Sequence, residues 1–259
     1  MKILVCIKQV PDMESKFKIG AEGIWYNEAD LAWRMNEYDE YAVEQAVQLK
    51  EQIGGDADLV VLSIGPERVK ETMKKALAMG CERGVHVLDE GYYKKDAFEI
   101  ASIIAEYAKD QGFDLIFTGM QSQDRGSAQV GILVAELLGL PSVSTIVDFA
   151  FASGTLSVKR ELEGGLKAQV KLQAPALVTC QLGLNTPRYP TLPNIMKAKK
   201  KELTTVPVGA LLKVEEMVKV EKMFVPEKRA GGLVLEGEIK DLADKLLQIL
   251  KEKTTVLKK

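Results

Sequence analysis

The chain carries a single histidine, His86, and three cysteines, Cys6, Cys81 and Cys180, far apart and each in apolar surroundings. A Ser-His-Asp or Cys-His centre, or a histidine-rich metal site, would rest on that one imidazole, which sits in the strand-like run GVHVLD. No C-x-x-C pair occurs, so no metal site is expected, and the thiols read as buried and reduced, as in a cytoplasmic protein. The side chains that could do chemistry are therefore those that bind. Between Thr118 and Gly131, the glycines Gly119, Gly126 and Gly131 are interleaved with Gln121, Ser122, Gln123, Asp124, Arg125, Ser127, Ala128, Gln129 and Val130. A glycine turn, a serine able to cap and free N–H groups at a helix start suit a phosphate, which makes an adenine nucleotide the natural ligand. A plain polar loop with a capped helix start would look the same. No G-x-G-x-x-G or P-loop run marks a standard dinucleotide or triphosphate site.

A second cluster is NTPRYPTLPNIMKAKKK, residues 185–201. Pro187, Pro190 and Pro193 keep residues 187–193 out of a helix and favour an extended loop. Leu192 lies at its middle with Ile195 and Met196 behind it, beside Lys197 and Lys199 to Lys201. A small apolar knob with a charged rim suits weak protein docking. The alternative is a loop folded back on the body with solvated lysines.

A length of 259 with 46% hydrophobic residues supports a sizeable core on which these segments can be held. Thirty-five basic and 37 acidic residues leave a net charge of −2, which gives no field for nucleic acid. A mean hydropathy of −0.04, and no run approaching ~20 apolar residues, argue against a spanning helix. Met1 leads straight into KILVCIKQV, a first strand too short for a signal segment. A helix follows from about Glu37 to Gln52, with Ala42, Val43, Ala46, Val47 and Leu49 on one face and Gly54-Gly55 as its stop. ADLVVLSIG, the helical PERVKETMKKALAMG, VHVLD, the helical AFEIASIIAEYAKDQG and DLIFTG continue the alternation. The 120–139 segment then turns into a helix expected to face the sheet with Val130, Leu133, Val134 and Leu137. After Pro141 the helical period stops, and VSTIVDFAF, GTLSVKREL, GLKAQVKL and PALVTCQLG read as antiparallel strands.

The expected class is α/β: a Rossmann-like doubly wound parallel sheet with an antiparallel β extension and a C-terminal arm. Residues 1–205 form the nucleotide-binding domain, including the extension and the 185–201 loop. Residues 206–259 form the arm, with a loop around Pro226 to Gly237 and an amphipathic helix from about Ile239 to Lys251 carrying Leu242, Leu246, Ile249 and Leu250 on one side, a face that should dock on the chain's own body or, the expected case, on a partner subunit. In such sheets ligands sit outside the carboxyl ends of the strands where strand order reverses. That points to Cys6 to Val10, Ser63 to Gly65 and Thr118 to Gly131.

At these residues the chain resembles the β subunit of electron-transfer flavoproteins. VKRELEGG followed by NTPRYPTLPNIMKAKKK carries the likeness, joined by KILVCIKQVPD, MNEYDEYAVEQAVQLKE, GPERVKETMKKALAMGCERGVHV and TGMQSQD, over residues 1 to 230. The resemblance implies a heterodimer whose α subunit holds most of the FAD while this subunit buries AMP and supplies no catalytic residue. The AMP contacts it implies are Cys6, Asn36, Glu37, Tyr38, Asp39, Ile64 and the stretch from Gly119 to Val130, with Tyr38 near the flavin edge. It makes the segment Tyr189 to Met196, including Leu192, Pro193 and Ile195, a recognition loop for flavin-linked dehydrogenases such as acyl-CoA dehydrogenases, and Glu161 an acidic contact for productive docking. A downstream acceptor oxidoreductase completes the electron path.

A second branch of that family binds a second FAD and NADH and splits the electron pair. Its pattern has an N-P turn and D-G-D-T-A-Q-V-G-P; here Glu37 follows Asn36, and Arg125 and Ile132 depart from the loop, which favours the AMP-type carrier. A reading of another class is an independent ATP- or nucleotide-using enzyme, for which one histidine and no phosphate motif offer little; a purely structural partner subunit is a third.

Overall fold

The computed structural model describes residues 1–54, 57–227 and 231–255. Gly55 of the expected helix stop, part of the 226–237 loop and the last four residues lie outside them. The first half builds β1 (Lys2–Cys6), a short hairpin of β2 (Gln9–Pro11) and β3 (Trp33–Met35), then α1 (Glu37–Ile53), β4 (Asp58–Gly65), α2 (Val69–Met79), β5 (Arg83–Leu88), α3 (Ala97–Ala108), β6 (Leu115–Gly119) and α4 (Val130–Leu138). The second half adds β7 (Ser142–Ala152), β8 (Thr155–Glu161), β9 (Lys167–Gln173), β10 (Ala176–Cys180), α5 (Leu192–Ala198), β11 (Leu203–Pro207) and α6 (Ile239–Lys253).

Nine strands form one sheet in the order β11-β5-β4-β1-β6-β10-β7-β8-β9. Strand order reverses at β1, which pairs in parallel with β4 on one side and β6 on the other. The pleat sends alternate residues of β1 to opposite faces. Ile3 and Val5 pack with Val43, Val47 and Met73 of α1 and α2. Leu4 and Cys6 pack with Ile103 and Ala108 of α3 and Val134 of α4. These two buried layers fix every strand end that opens toward the site.

Four expectations change. β10 is not part of an antiparallel meander: it inserts in parallel between β6 and β7, and all five of its residues are buried. A continuous apolar run of that kind belongs in a sheet covered on both faces. Only β7, β8 and β9 form the antiparallel extension, and β7 passes from the parallel region into it near Thr145, whose φ is +58°. On α4, Leu137 is exposed, and Gly131, Val134 and Ala135 are the buried residues. The proline-rich stretch turns helical at Leu192, since Pro193 falls in the first turn, where a missing N–H costs nothing. β11, absent from the pattern reading, pairs with β5 at the sheet edge.

By compactness the chain divides into Met1–Met223 and Phe224–Lys259, so β11 and the segment after it lie in the first unit, past residue 205. In the second unit, α6 has one stripe of half-buried Leu242, Ile249 and Leu250, while Ile239, Leu246 and Leu247 are exposed. No helix among the described residues is long and apolar enough to cross a membrane.

Candidate functional site

A cavity of about 640 Å³ opens at the carboxyl ends of β1, β4 and β6, beside the reversal of strand order. Its apolar wall comes from Ile7, Leu62, Ile64, Phe98, Ile104 and Leu133, and its polar wall from the 120–131 loop. Of the residues singled out from the sequence, Cys6, Asn36, Asp39, Ile64, Gln121, Ser122, Arg125, Ser127, Ala128, Gln129 and Val130 line it.

The others stand one layer behind. The 36–39 turn and the 119–123 segment are zipped together: Asn36 Nδ2 donates to Gln121 O at 2.8 Å, and Gln123 N–H donates to Asn36 Oδ1 at 3.0 Å. Gln123 Nε2 donates to Glu37 Oε2 at 2.9 Å, and Gln121 Nε2 to the Tyr38 hydroxyl at 3.1 Å. Asp124 receives Lys8 Nζ at 2.6 Å. Glu37, Tyr38, Gln123 and Asp124 thus shape the loop from outside.

Asp39 ties the two central strand ends together, accepting from Lys8 N–H at 2.7 Å and Gly119 N–H at 3.1 Å. Burial pushes its carboxyl up to about 7, against the opposing pull of those two amides, of Asn36 and of the Lys8 charge. Burial also holds the Lys8 ammonium below its usual value although Asp124 favours its charge. The three thiols are free, buried and shifted upward by burial, so they are poor nucleophiles. His86 is fully buried and its Nε2 donates to Gly65 O at 2.8 Å, a structural role.

The helix start differs from expectation. Ser127 does not cap α4; Gln129 occupies the cap position and makes no side-chain cap bond. Gly126 (φ +62°) turns the loop, and Ala128 is held at φ +53°, a conformation that costs a residue with a side chain about 1 kcal/mol or more. Leu133 N–H is the first of the helix to find an acceptor, Gln129 O at 3.0 Å, so the amides of Val130, Gly131 and Ile132 lack one among the described residues. Gly131 lets α4 sit against the sheet: a Cβ there would lie 2.5 Å from Thr118 Oγ1 and 2.8 Å from Thr179 Cγ2. Uncapped amides at the partly positive end of a nine-residue helix, facing a cavity with a broad apolar wall, fit a nucleotide's phosphate and base. No group of acidic, cysteine or histidine residues that could hold a metal occurs among the described residues.

Several lining residues escaped the sequence reading. Lys8 lay in a strand end already singled out. Trp25, the 92–98 segment, and Met217, Val218 and Val220 had no periodic or motif signal. Arg125 crosses to the 92–95 turn, donating Nη1–H to Lys95 O at 2.7 Å and Nη2–H to Tyr93 O, with its guanidinium 5.1 Å from the centre of the Trp25 ring. Asp96, at the start of α3, accepts the Glu99 N–H on Oδ1 at 2.8 Å. Its Oδ2 accepts Met217 N–H at 2.6 Å and Val218 N–H at 2.9 Å. Burial alone would raise that carboxyl; the bonds from Glu99, Met217, Val218 and Phe98 together hold it below the usual carboxylate range.

The 185–201 segment stands apart from the cavity lining and forms an arch with two feet. On α1, Arg188 grips Glu44 through Nε at 2.8 Å and Glu51 through Nη1 at 2.6 Å, while Asn185 Nδ2 donates to Tyr41 O at 3.0 Å. On α2, Ala198 is buried in the core, and Lys201 Nζ donates to the Leu77 and Cys81 carbonyls at 3.1 and 2.6 Å. Lys201 is therefore a helix-end cap, while Lys199 and Lys200 are exposed. Between the feet, Tyr189 (92% exposed), Leu192 (78%), Pro193, Ile195 and Met196 face outward. Glu161, exposed at the end of β8, accepts from Gln181 Nε2 at 3.2 Å.

A model of the electron transfer flavoprotein domain matches residues 23–211. Named relatives align over nearly the whole length: "electron transfer flavoprotein subunit beta" of Bradyrhizobium diazoefficiens is 39% identical, covering 99% of this chain and all of the relative. The subunit of the same name from Bacillus subtilis is 37% identical over 99% of this chain and all of the relative. That from Homo sapiens is 34% identical over 96% of this chain and 98% of the relative.

Proposed function

The chain belongs to the electron transfer flavoprotein family as a β subunit, and from that premise we propose that it completes a heterodimer in which its own cavity holds AMP. The observation that carries this reading is the row of unmatched α4 amides opening onto an apolar-walled cavity at the strand-order reversal. In this reading the phosphate lies over Val130, Gly131 and Ile132, and Phe98, Ile64 and Leu133 enclose the base. Lys8 and Asp124 neutralise one another and hold the loop, so the anion is met mainly by amides. FAD, held mostly by the α subunit, supplies the electron-transfer chemistry. This chain contributes no acid, base or nucleophile: it braces the cofactor surroundings and offers the arch, with Leu192 at its tip and Glu161 as an acidic contact, to flavin-linked dehydrogenases before the electrons pass to a downstream acceptor.

The partial match of Asp124 to Gly131 to the electron-splitting pattern keeps one second reading, a further FAD in the same cavity. Arg125 favours AMP, because it stands where the electron-splitting pattern has glycine. Purification with the α subunit followed by denaturing extraction tests both. One FAD and one AMP per heterodimer is expected; two FAD and no AMP would replace the carrier reading by the splitting one.

A further inference from the structure

One wall of the cavity is not part of the sheet or its helices. Met217, Val218 and Val220 belong to a segment without helix or strand, yet they line the cavity while their other surfaces face solvent. That segment is fastened at three places: Lys213 to Glu106, the amides of Met217 and Val218 to Asp96, and Met223 N–H to Gly23 O at 2.8 Å. Only the middle fastening lies at the cavity. Asp96 is itself a lining residue, it is buried, and it divides its two oxygens between two tasks. Oδ1 caps α3 through Glu99 N–H, and Oδ2 takes both strap amides.

We propose that Asp96 is a positioning residue for the nucleotide site: it latches the 213–223 strap over the cavity and thereby sets how long a bound nucleotide stays. The inference rests on the reading that the cavity holds AMP. An ionised acceptor with two N–H donors is a strong fastening, and hydrogen bonds to charged groups exceed neutral ones. The exposed surroundings of Met217 and Val218, with no regular structure, supply little else to hold them. A nucleotide enclosed by the strap leaves only when those two bonds open.

The division of labour on Asp96 makes the test clean. Asp96→Asn retains an oxygen for the α3 cap, and Asn is as good a cap as Asp, but it presents an amide group to the strap. Met217→Pro removes one strap donor and leaves α3 untouched. In the heterodimer with the α subunit, dissociation of radiolabelled AMP is measured by dilution into unlabelled AMP, with equilibrium dialysis and thermal melting alongside. Each variant is expected to release AMP about tenfold faster, and the double variant no faster than Asp96→Asn alone. Melting temperature should stay close to that of the unchanged protein. Unaltered release from Met217→Pro would overturn the latch, because a role confined to α3 leaves that variant silent. Additive effects in the double variant would overturn it as well. If the unchanged heterodimer binds no AMP in dialysis, the nucleotide reading itself has failed, and the latch falls with it; amide exchange faster at 217–218 in Asp96→Asn would then mark a strap fastening without a nucleotide role.

Discussion

In the cavity, charged side chains find their partners within the chain: Lys8 with Asp124, Lys95 with Asp89, and Arg125 with two backbone carbonyls. On the arch the charges sit in the feet, and the tip between them is apolar and exposed. The first region satisfies its charges internally and leaves helix amides and uncharged side chains such as Ser127 and Gln129 to meet a ligand. The other keeps its contact surface away from its own core. A buried site is therefore sensitive to small changes in packing, whereas the arch should tolerate change at its tip and fail at its footing.

Arg188→Ala should have the largest effect on stability, about 2–3 kcal/mol in chemical unfolding, because it strands the Glu44 carboxylate, whose side chain is only 3% exposed. Arg188→Lys should recover part of it, since one ammonium cannot reproduce the two-carboxylate fork. An unchanged unfolding midpoint for Arg188→Ala would erase the distinction between footing and tip. Gly131→Ala comes next at about 2 kcal/mol: its methyl group must move α4 away from Thr118 and Thr179, and co-purifying AMP should fall with stability. Retention of full AMP with no loss of stability would show that the cavity tolerates packing changes as freely as the arch tip.

Asp39→Asn sharpens the comparison through pH. Its folded-state carboxyl lies at about 7 and its unfolded value at 3.8, so between these values the folded chain keeps a proton that the unfolded chain releases. That contribution to stability is full below about pH 4 and is lost as pH rises through about 7. Asn does not titrate, so the variant should gain on the native chain between pH 5 and pH 8, on the order of 2–3 kcal/mol in paired thermal melts. A constant difference across that range would mean Asp39 stays ionised throughout. Leu192→Ala should have the smallest effect on stability, within about 0.5 kcal/mol, with normal FAD content. Its electron transfer to a flavin-linked dehydrogenase should nevertheless slow; unchanged transfer would remove the docking role from the tip.

The alternating units up to α4 were legible in the sequence because each helix packs on strands close to it in the chain, so hydrophobic period and layer agree. The strand ends carrying Cys6, Ile64 and Gly119 followed from that topology. The orientation of β10 did not, since ALVTC is apolar throughout and nothing in five residues reveals which neighbours a strand will take. Asp96 and the 217–220 strap were hidden for another reason: their roles arise from segments more than a hundred residues apart, joined by backbone amides that leave no side-chain pattern; Lys8 lay in a strand end that the topology marked, but its side-chain partner Asp124 is likewise more than a hundred residues away. Ser127 misled because a capping residue type stood two positions before the cap that the helix uses. The likeness of 185–201 to a recognition loop located the exposed tip, but the feet on α1 and α2 are visible only in three dimensions.

The insertion of β10 between β6 and β7 has a consequence for how the chain reaches its native state. β6, which carries Thr118 in the cavity lining, gains its outer neighbour only when residues 176–180 arrive, about sixty positions later in the chain, past the whole β7, β8 and β9 ribbon. During synthesis the half-sheet from β5 to β6 would expose an unpaired parallel edge for several seconds. Nucleotide capture should accordingly be among the last events of folding, appearing with the slowest refolding phase rather than with the early recovery of helical signal.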